Sequence, residues 1–307
     1  MQNFVTARAP GKINVALAVG DLADDGYHPL ATVFLALNLT EDVTAHRAEG
    51  LSLEYAPGPI DTSDLATDES NLAIRAARLL ADTTGHPADA ALTITKRVPI
   101  AGGMGGGSAD AAAALVACDA LWGTNLTRED LVALAAKLGA DVPFAVAGGV
   151  ALGTGRGDVL SPVLTEGTFE WVLRLSDEGM STPLTFRALD EHRAKHGAAL
   201  GPVVDPEIEA RVLHALRAGD PVALADALSN DLQAPALQLR PDLAEALEFG
   251  ETHGALAGIV SGSGPTLGFL AADAAGADAL AATFRREGHR VVRASGPVPG
   301  ARVIEAA

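Results

Sequence analysis

The amino-acid sequence predicts an α+β protein of two halves, residues 1–160 and 161–307. Three observations carry that expectation. Segments with strand periodicity cluster early in the chain. A run of five glycines in six positions, 102–107, separates a strand pattern from a helix pattern. Beyond Ser161-Pro162 helix and strand patterns intermix, as a second α+β unit would.

Residues 3–8 read as a short strand broken at Pro10-Gly11. In the next strand Ile13, Val15, Leu17 and Val19 alternate with Lys12, Asn14, Ala16 and Ala18, so Lys12 and Asn14 share a face. Asp24-Asp25-Gly26 is a turn signal, and 32–39 resumes as a strand. Leu72, Ala76, Leu79 and Leu80 form the apolar stripe of a helix over 70–81. A strand at 91–96 leads into the glycines. Ser108 is the expected N-cap of a helix over 109–122, closed by Gly123. Thr127 opens a second helix that Gly139 ends; Asp141 and Pro143 then precede the apolar run 144–152, which places Asp141 at a helix–strand junction.

In the second half, 170–175 reads as a strand. Thr182-Pro183 has the look of an N-cap followed by proline at the first helical position. Helices are expected near 206–218, 221–228 and 241–253. The pattern then runs strand (255–260), glycine turn, strand (266–270), helix (277–287) and strand (290–294).

Composition narrows the function classes. An apolar fraction of 48% with 20% charged residues is that of an ordinary globular protein. The 22 basic and 39 acidic residues give a net charge of −17, which argues against nucleic acid or an anionic membrane as partner. No apolar stretch approaches the ~18 residues of a membrane span, and the N-terminal residues lack a signal pattern. The one cysteine, Cys118, excludes an intrachain disulfide framework and fits a reducing cytoplasm, the expected location. It shares a helix face with Leu115 and Leu121, the setting of a buried, inert thiol. The sequence leaves a homodimer open.

The glycine-rich loop is the most informative segment. Gly102, Gly103, Met104, Gly105, Gly106, Gly107 and Ser108 stand directly before a helix. Glycines admit positive φ and close approach of a ligand to the main chain, and a helix start offers converging N–H groups to an anion. The loop lacks the Gly-Lys-Ser/Thr ending of a Walker A sequence, and Ser108 stands where the third glycine of a dinucleotide fingerprint belongs. It is a phosphate loop of a third kind. Taken by themselves, Asp141 suits a turn or capping aspartate, Lys12 an exposed strand lysine, and Tyr27 and Phe186 core or hairpin aromatics.

Pro10-Gly11-Lys12-Ile13-Asn14, the glycine loop with Ser108-Ala109-Asp110, and Ser261-Gly262-Ser263-Gly264-Pro265 resemble, in order, the three motifs of the GHMP kinases. Asp25-Gly26-Tyr27-His28, Asn71-Leu72 and 139–144 are similar to the branch of that family acting on 4-diphosphocytidyl-2-C-methyl-D-erythritol in non-mevalonate isoprenoid synthesis. Departures are Ala101 and Met104, where many relatives have glycine and leucine, and Ala109, where many have a second serine.

The resemblance implies a two-domain fold, the first domain like ribosomal protein S5 domain 2 and the second ferredoxin-like, with the site between them. It implies an ATP-dependent kinase requiring Mg²⁺, with no metal ligand marked. Lys12 and Asp141 are the implied catalytic pair, Asp141 as base. ATP is implied at Asn71 and Gly102, Gly103, Met104, Gly105, Gly106, Gly107 and Ser108. The acceptor is implied at Asn14, Tyr27, His28, Thr182 and Phe186, His28 reading the cytosine edge while the aromatics stack. Asp110 reads as structural. The alternative is another small-molecule kinase of the same family, acting on homoserine, mevalonate or a sugar.

Overall fold

A computed structural model describes residues 2–100, 102–176, 178–196 and 203–307. Ala101, noted above for its place in the glycine loop, lies outside them.

The chain opens with two long antiparallel strands, β1 (Phe4–Val19) and β2 (Leu30–His46). Pro10-Gly11 does not end the first strand, as the sequence suggested. The chain passes straight through with a register shift between Pro10 and Gly11, where β2 carries two extra residues, Asn38 and Leu39, beside a proline that has no N–H to donate. Lys12 follows immediately. β3 (Leu51–Tyr55) lies parallel to β4 (Ala90–Thr95), and α1 (Leu72–Thr84) connects them.

Next come α2 (Gly106–Trp122), α3 (Arg128–Ala135) and α4 (Val142–Ala147). Thr127 caps α3 in a reciprocal capping box with Asp130. The apolar run 144–152 divides between α4 and β5 (Val150–Thr154), so Asp141 lies at the start of a helix instead of a helix–strand junction. β6 (Val159–Pro162) pairs with β5.

The second half contains β7 (Phe169–Arg174), α5 (Thr182–His196), α6 (Ala210–Ala218), α7 (Pro221–Ala225), β8 (Ser229–Asn230), α8 (Gln233–Leu239) and α9 (Asp242–Thr252). It continues with β9 (Ala257–Val260), β10 (Leu267–Ala271), α10 (Ala274–Arg286) and β11 (Val291–Gly296). Thr182 is the first residue of α5, not a cap outside it. β12 (Arg302–Ala306), unforeseen in the sequence, returns to the first sheet and pairs antiparallel with β1.

The described residues thus form two sheets. The first runs β12-β1-β2-β4-β3, with β5 on β2, β6 on β5 and β8 on β1; the second runs β11-β7-β10-β9. α2 is buried on nearly every side, and its alanines from 111 to 114 let α1 and the sheet approach closely. On β7, Phe169, Trp171 and Leu173 face one core and Val172 the opposite one, the strand period at work. The first of these cores also holds Ile13, Val15, Val33 and Leu35, so the two halves share apolar interior. Among the described residues no helix is long and apolar enough to cross a membrane.

Candidate active site

The glycine loop turns through positive φ at Gly103 (74°) and Gly105 (71°), and Gly105 is the N-cap of α2. Ser108, expected as the cap, lies inside the first turn, and no side chain caps the helix. The first N–H groups of α2 have no partner within the helix, so they are available to an anion at its positive end. The loop is braced from both halves. The Lys12 amide donates to the Met104 carbonyl at 3.0 Å, and the Ser261 hydroxyl donates to the Gly103 carbonyl at 3.2 Å. A Cβ on Gly103 would collide with the Ser261 carbonyl oxygen. A Cβ on Gly262 would stand 3.4 Å from Lys12 Nζ and 3.3 Å from Asn14 Oδ1. The turn of the late Ser-Gly-Ser-Gly-Pro segment therefore packs against both glycine loop and strand.

Just past the register shift at Pro10-Gly11, Lys12 and Asn14 line the space beneath this loop. Lys12 Nζ is 3.5 Å from Asp141 Oδ2 and donates to Asn14 Oδ1 at 2.7 Å. Asn14 Nδ2 in turn donates to Thr32 Oγ1, which donates to the Ala16 carbonyl, both at 2.8 Å. Because the Thr32 hydroxyl spends its proton on that carbonyl, it can only accept from Asn14, and the amide must offer its oxygen to the lysine. Lys12 also lies 5.6 Å from the Phe34 ring centroid. Its side chain is 8% exposed, whereas that of Asp141 is 33% exposed and open to a ligand. Asp141 makes no side-chain bond to the helix it precedes.

On the far side of Asp141 the hairpin after β1 presents Tyr27 and His28. His28 Nδ1 donates to the Gly20 carbonyl at 2.8 Å, which turns Nε2 toward Asp190 Oδ2 at 3.5 Å. The imidazole stacks on Phe186, centroids 5.2 Å apart and planes at 28°. Tyr27 is exposed, with the guanidinium of Arg156 over its ring at 3.6 Å. Thr182 exchanges a 2.8 Å hydroxyl bond with Ser263.

On the near side, Asn71 caps α1 through the Ala73 amide and donates to the Tyr55 hydroxyl and the Ala66 carbonyl. Below the loop lies a charge cluster the sequence did not reveal. Lys96 Nζ is 2.7 Å from both Glu41 Oε1 and Asp110 Oδ2, all three buried. Glu41 also accepts from the Arg97 and Val98 amides. Burial and the neighbouring Asp110 charge push the Glu41 carboxyl up to about 7, and burial pushes Asp110 up as well. Burial works to lower Lys96, but the two carboxylates outweigh it and hold the ammonium above its usual value. Asp110 Oδ1 has no hydrogen-bond partner.

Three adjoining cavities connect these groups. One of about 400 Å³ is lined by Asn71, Tyr55, Lys96, Asp110 and the glycine loop from Gly102 to Gly107. A second of about 320 Å³ holds Lys12, Asn14, Ser108, Asp141 and Ser263 and shares Gly103 and Gly105 with the first. A third of about 840 Å³ holds Tyr27, His28, Pro183 and Asp190, and shares Thr182, Phe186 and Arg156 with the second. The cleft brings every residue expected at the site into one continuous path. Arg156 and Asp190, missed in the sequence, belong to it too. The only cue to Arg156 was its place between glycines in a turn signal. Glu41 carried no cue, because its partners lie 55 and 69 positions away in the chain.

An anion platform at one end, a cation–carboxylate pair in the middle and an aromatic pocket at the other can join a phosphate donor to a base-bearing acceptor. The GHMP kinases N terminal domain matches residues 71–149 and the GHMP kinases C terminal domain matches 212–290. The chain is 59% identical over 303 residues to the 4-diphosphocytidyl-2-C-methyl-D-erythritol kinase of Clavibacter michiganensis subsp. michiganensis, covering 98% of this chain and 97% of that protein. It is also 59% identical over 301 residues to the kinase of the same name from Leifsonia xyli subsp. xyli, covering 98% of each. A crystal structure of 4-(cytidine 5'-diphospho)-2C-methyl-D-erythritol kinase superimposes with a TM-score of 0.76 at 30% identity, over 94% of this chain and 98% of that one. A homoserine kinase from Cytophaga hutchinsonii shares the fold, with a TM-score of 0.75 at 18% identity over 99% and 98%.

Proposed function

The chain belongs to the GHMP kinase family, and from that premise we propose that it transfers the γ-phosphoryl group of ATP to the 2-hydroxyl of 4-diphosphocytidyl-2-C-methyl-D-erythritol. The observation that carries the reading is the Lys12–Asp141 pair, 3.5 Å apart in the cavity that links the one beside the glycine loop to the one lined by His28 and Phe186. Phosphoryl transfer asks little covalent work of a protein; it asks for positioning and charge neutralisation. The amides opening α2 would hold the β- and γ-phosphates. Lys12, fixed by Asn14, would neutralise charge on the group in flight. Asp141 would orient the acceptor hydroxyl and take its proton. His28 and Phe186 would hold the cytosine.

Mg²⁺, bound together with the nucleotide, would supply further neutralisation of the phosphate charge. Among the described residues no group of three or more His, Cys, Asp or Glu side chains could hold a metal. At nucleotide sites Mg²⁺ usually keeps phosphate oxygens and water as ligands beside one or two protein groups. A cytoplasmic setting suits the buried Cys118, whose thiol burial pushes up to about 12 and keeps unreactive.

The test is ADP release from ATP with CDP-methylerythritol as acceptor, against mevalonate and homoserine. Turnover with the cytidine acceptor alone is expected. Turnover with either control alone would overturn the acceptor assignment and leave the kinase class standing.

A further inference from the structure

The acceptor named above has three parts: a base, a polyol and the diphosphate between them. The base pocket and the transfer pair stand in neighbouring cavities, so the diphosphate must lie where these meet. Five residues line both cavities: Leu30, Ala140, Arg156, Thr182 and Phe186. Arg156 alone among these carries a charge. Lys137 and Arg187 line only the outer cavity, and Lys12 only the inner one. On a protein of net charge −17 an anionic ligand needs such a local cation.

The setting of Arg156 suits an anion that comes and goes. It stands in the turn between β5 and β6, anchored by its own amide donating to Asp158 Oδ1 at 3.1 Å. Its Nη2 reaches Asp25 Oδ2 at 3.0 Å, and both side chains are more than half exposed. A solvent-exposed pair of this kind holds weakly. The planar guanidinium keeps further donors for phosphate oxygens while it lies over the Tyr27 ring.

We propose that Arg156 holds the diphosphate of the acceptor, spanning the base pocket and the transfer pair; this rests on the acceptor reading above. A purely structural part is the alternative, in which Arg156 latches the Asp25-to-Tyr27 loop in place and touches no ligand. Calorimetric titration with CDP and with cytidine separates the two, because only CDP carries the diphosphate. Arg156→Ala is expected to weaken CDP about tenfold and cytidine by less than about twofold. It is expected to raise KM for the acceptor while leaving KM for ATP unchanged. Arg156→Lys, which keeps the charge but loses the fork, should fall between. Asp25→Asn cuts the latch and frees the guanidinium, so CDP should bind at least as tightly as to wild type. Equal losses of CDP and cytidine in Arg156→Ala, no loss of either, or a loss in Asp25→Asn matching that of Arg156→Ala would each overturn the proposal. Wild-type protein that binds neither ligand and phosphorylates no cytidine acceptor would overturn the acceptor reading, and this assignment with it.

Discussion

At the scale of single residues, Asp141 differs from an ordinary capping aspartate in that its carboxylate makes no bond to the helix it opens. Its contact is Lys12, itself steered by Asn14 and Thr32. Asp141→Asn and Lys12→Ala are each expected to lower kcat by roughly 10²–10⁴-fold. Titration with a non-hydrolysable ATP analogue should show nucleotide binding retained; near-wild-type kcat in either variant would remove the residue from the chemistry. A second expectation concerns Asp110. In the unfolded chain Glu41 titrates near its usual 4.5, but in the fold near 7. The folded state therefore binds the proton more tightly, and this stabilisation is full below the lower value and lost as pH rises through about 7. Asp110→Asn keeps an oxygen for Lys96 and removes the second carboxylate. The fall in Tm between about pH 5 and 8 should flatten, and Tm at the upper end should rise by a few degrees. A melting series with the slope unchanged would contradict it. Lys12, Asn14, Tyr27, His28 and Asp141 were legible because each lies in a short, recognisable stretch. The Glu41–Lys96–Asp110 cluster was not, because only the folded sheet brings its members together.

At the scale of elements, the glycine loop and the late turn behave as one unit. Gly103 holds positive φ and faces the Ser261 carbonyl where a side chain has no room. Gly103→Ala is expected to cost about 1–3 kcal/mol of stability and to weaken ATP-analogue binding more than it weakens cytidine binding. Melting and paired titrations check this, and equal losses for both ligands would argue against it. The central elements were readable from periodicity and caps: α3 begins where Thr127 said it should, whereas α1, expected over 70–81, starts two residues later because Asn71 caps it. β1 was not, because Pro10-Gly11 is a breaker signal and only the bulge, with pairing on both sides, carries the strand through. Ser108 misled for a related reason: Gly105 can take the left-handed cap conformation itself, so α2 begins earlier than a serine cap would place it.

At the scale of the whole molecule, the two halves named from the sequence are tied twice. Ile13 and Leu35 share a core with Trp171 and Leu173, and β12 crosses back to pair with β1. The segment leading into β12 also braces α4: the Ala301 amide donates to the Ala145 and Val146 carbonyls, and Arg128 clasps the Ala301 and Val146 carbonyls. A chain ending at Val298 is expected to melt several degrees lower, in a single transition because the core is shared, and to lose most of its turnover. Calorimetry with two separated transitions would contradict the shared core. This return was illegible in advance, since five residues from Arg302 give a strand signal too short to name a partner far back in the chain. The returning strand also sets a birth order. Residues 302–306 leave the ribosome after every strand of the second sheet, so β1 gains its outer neighbour only once all the strands β2 to β11 have been made. Until the segment leading into β12 is made, α4, which Asp141 opens, lacks the brace that the Ala301 amide supplies.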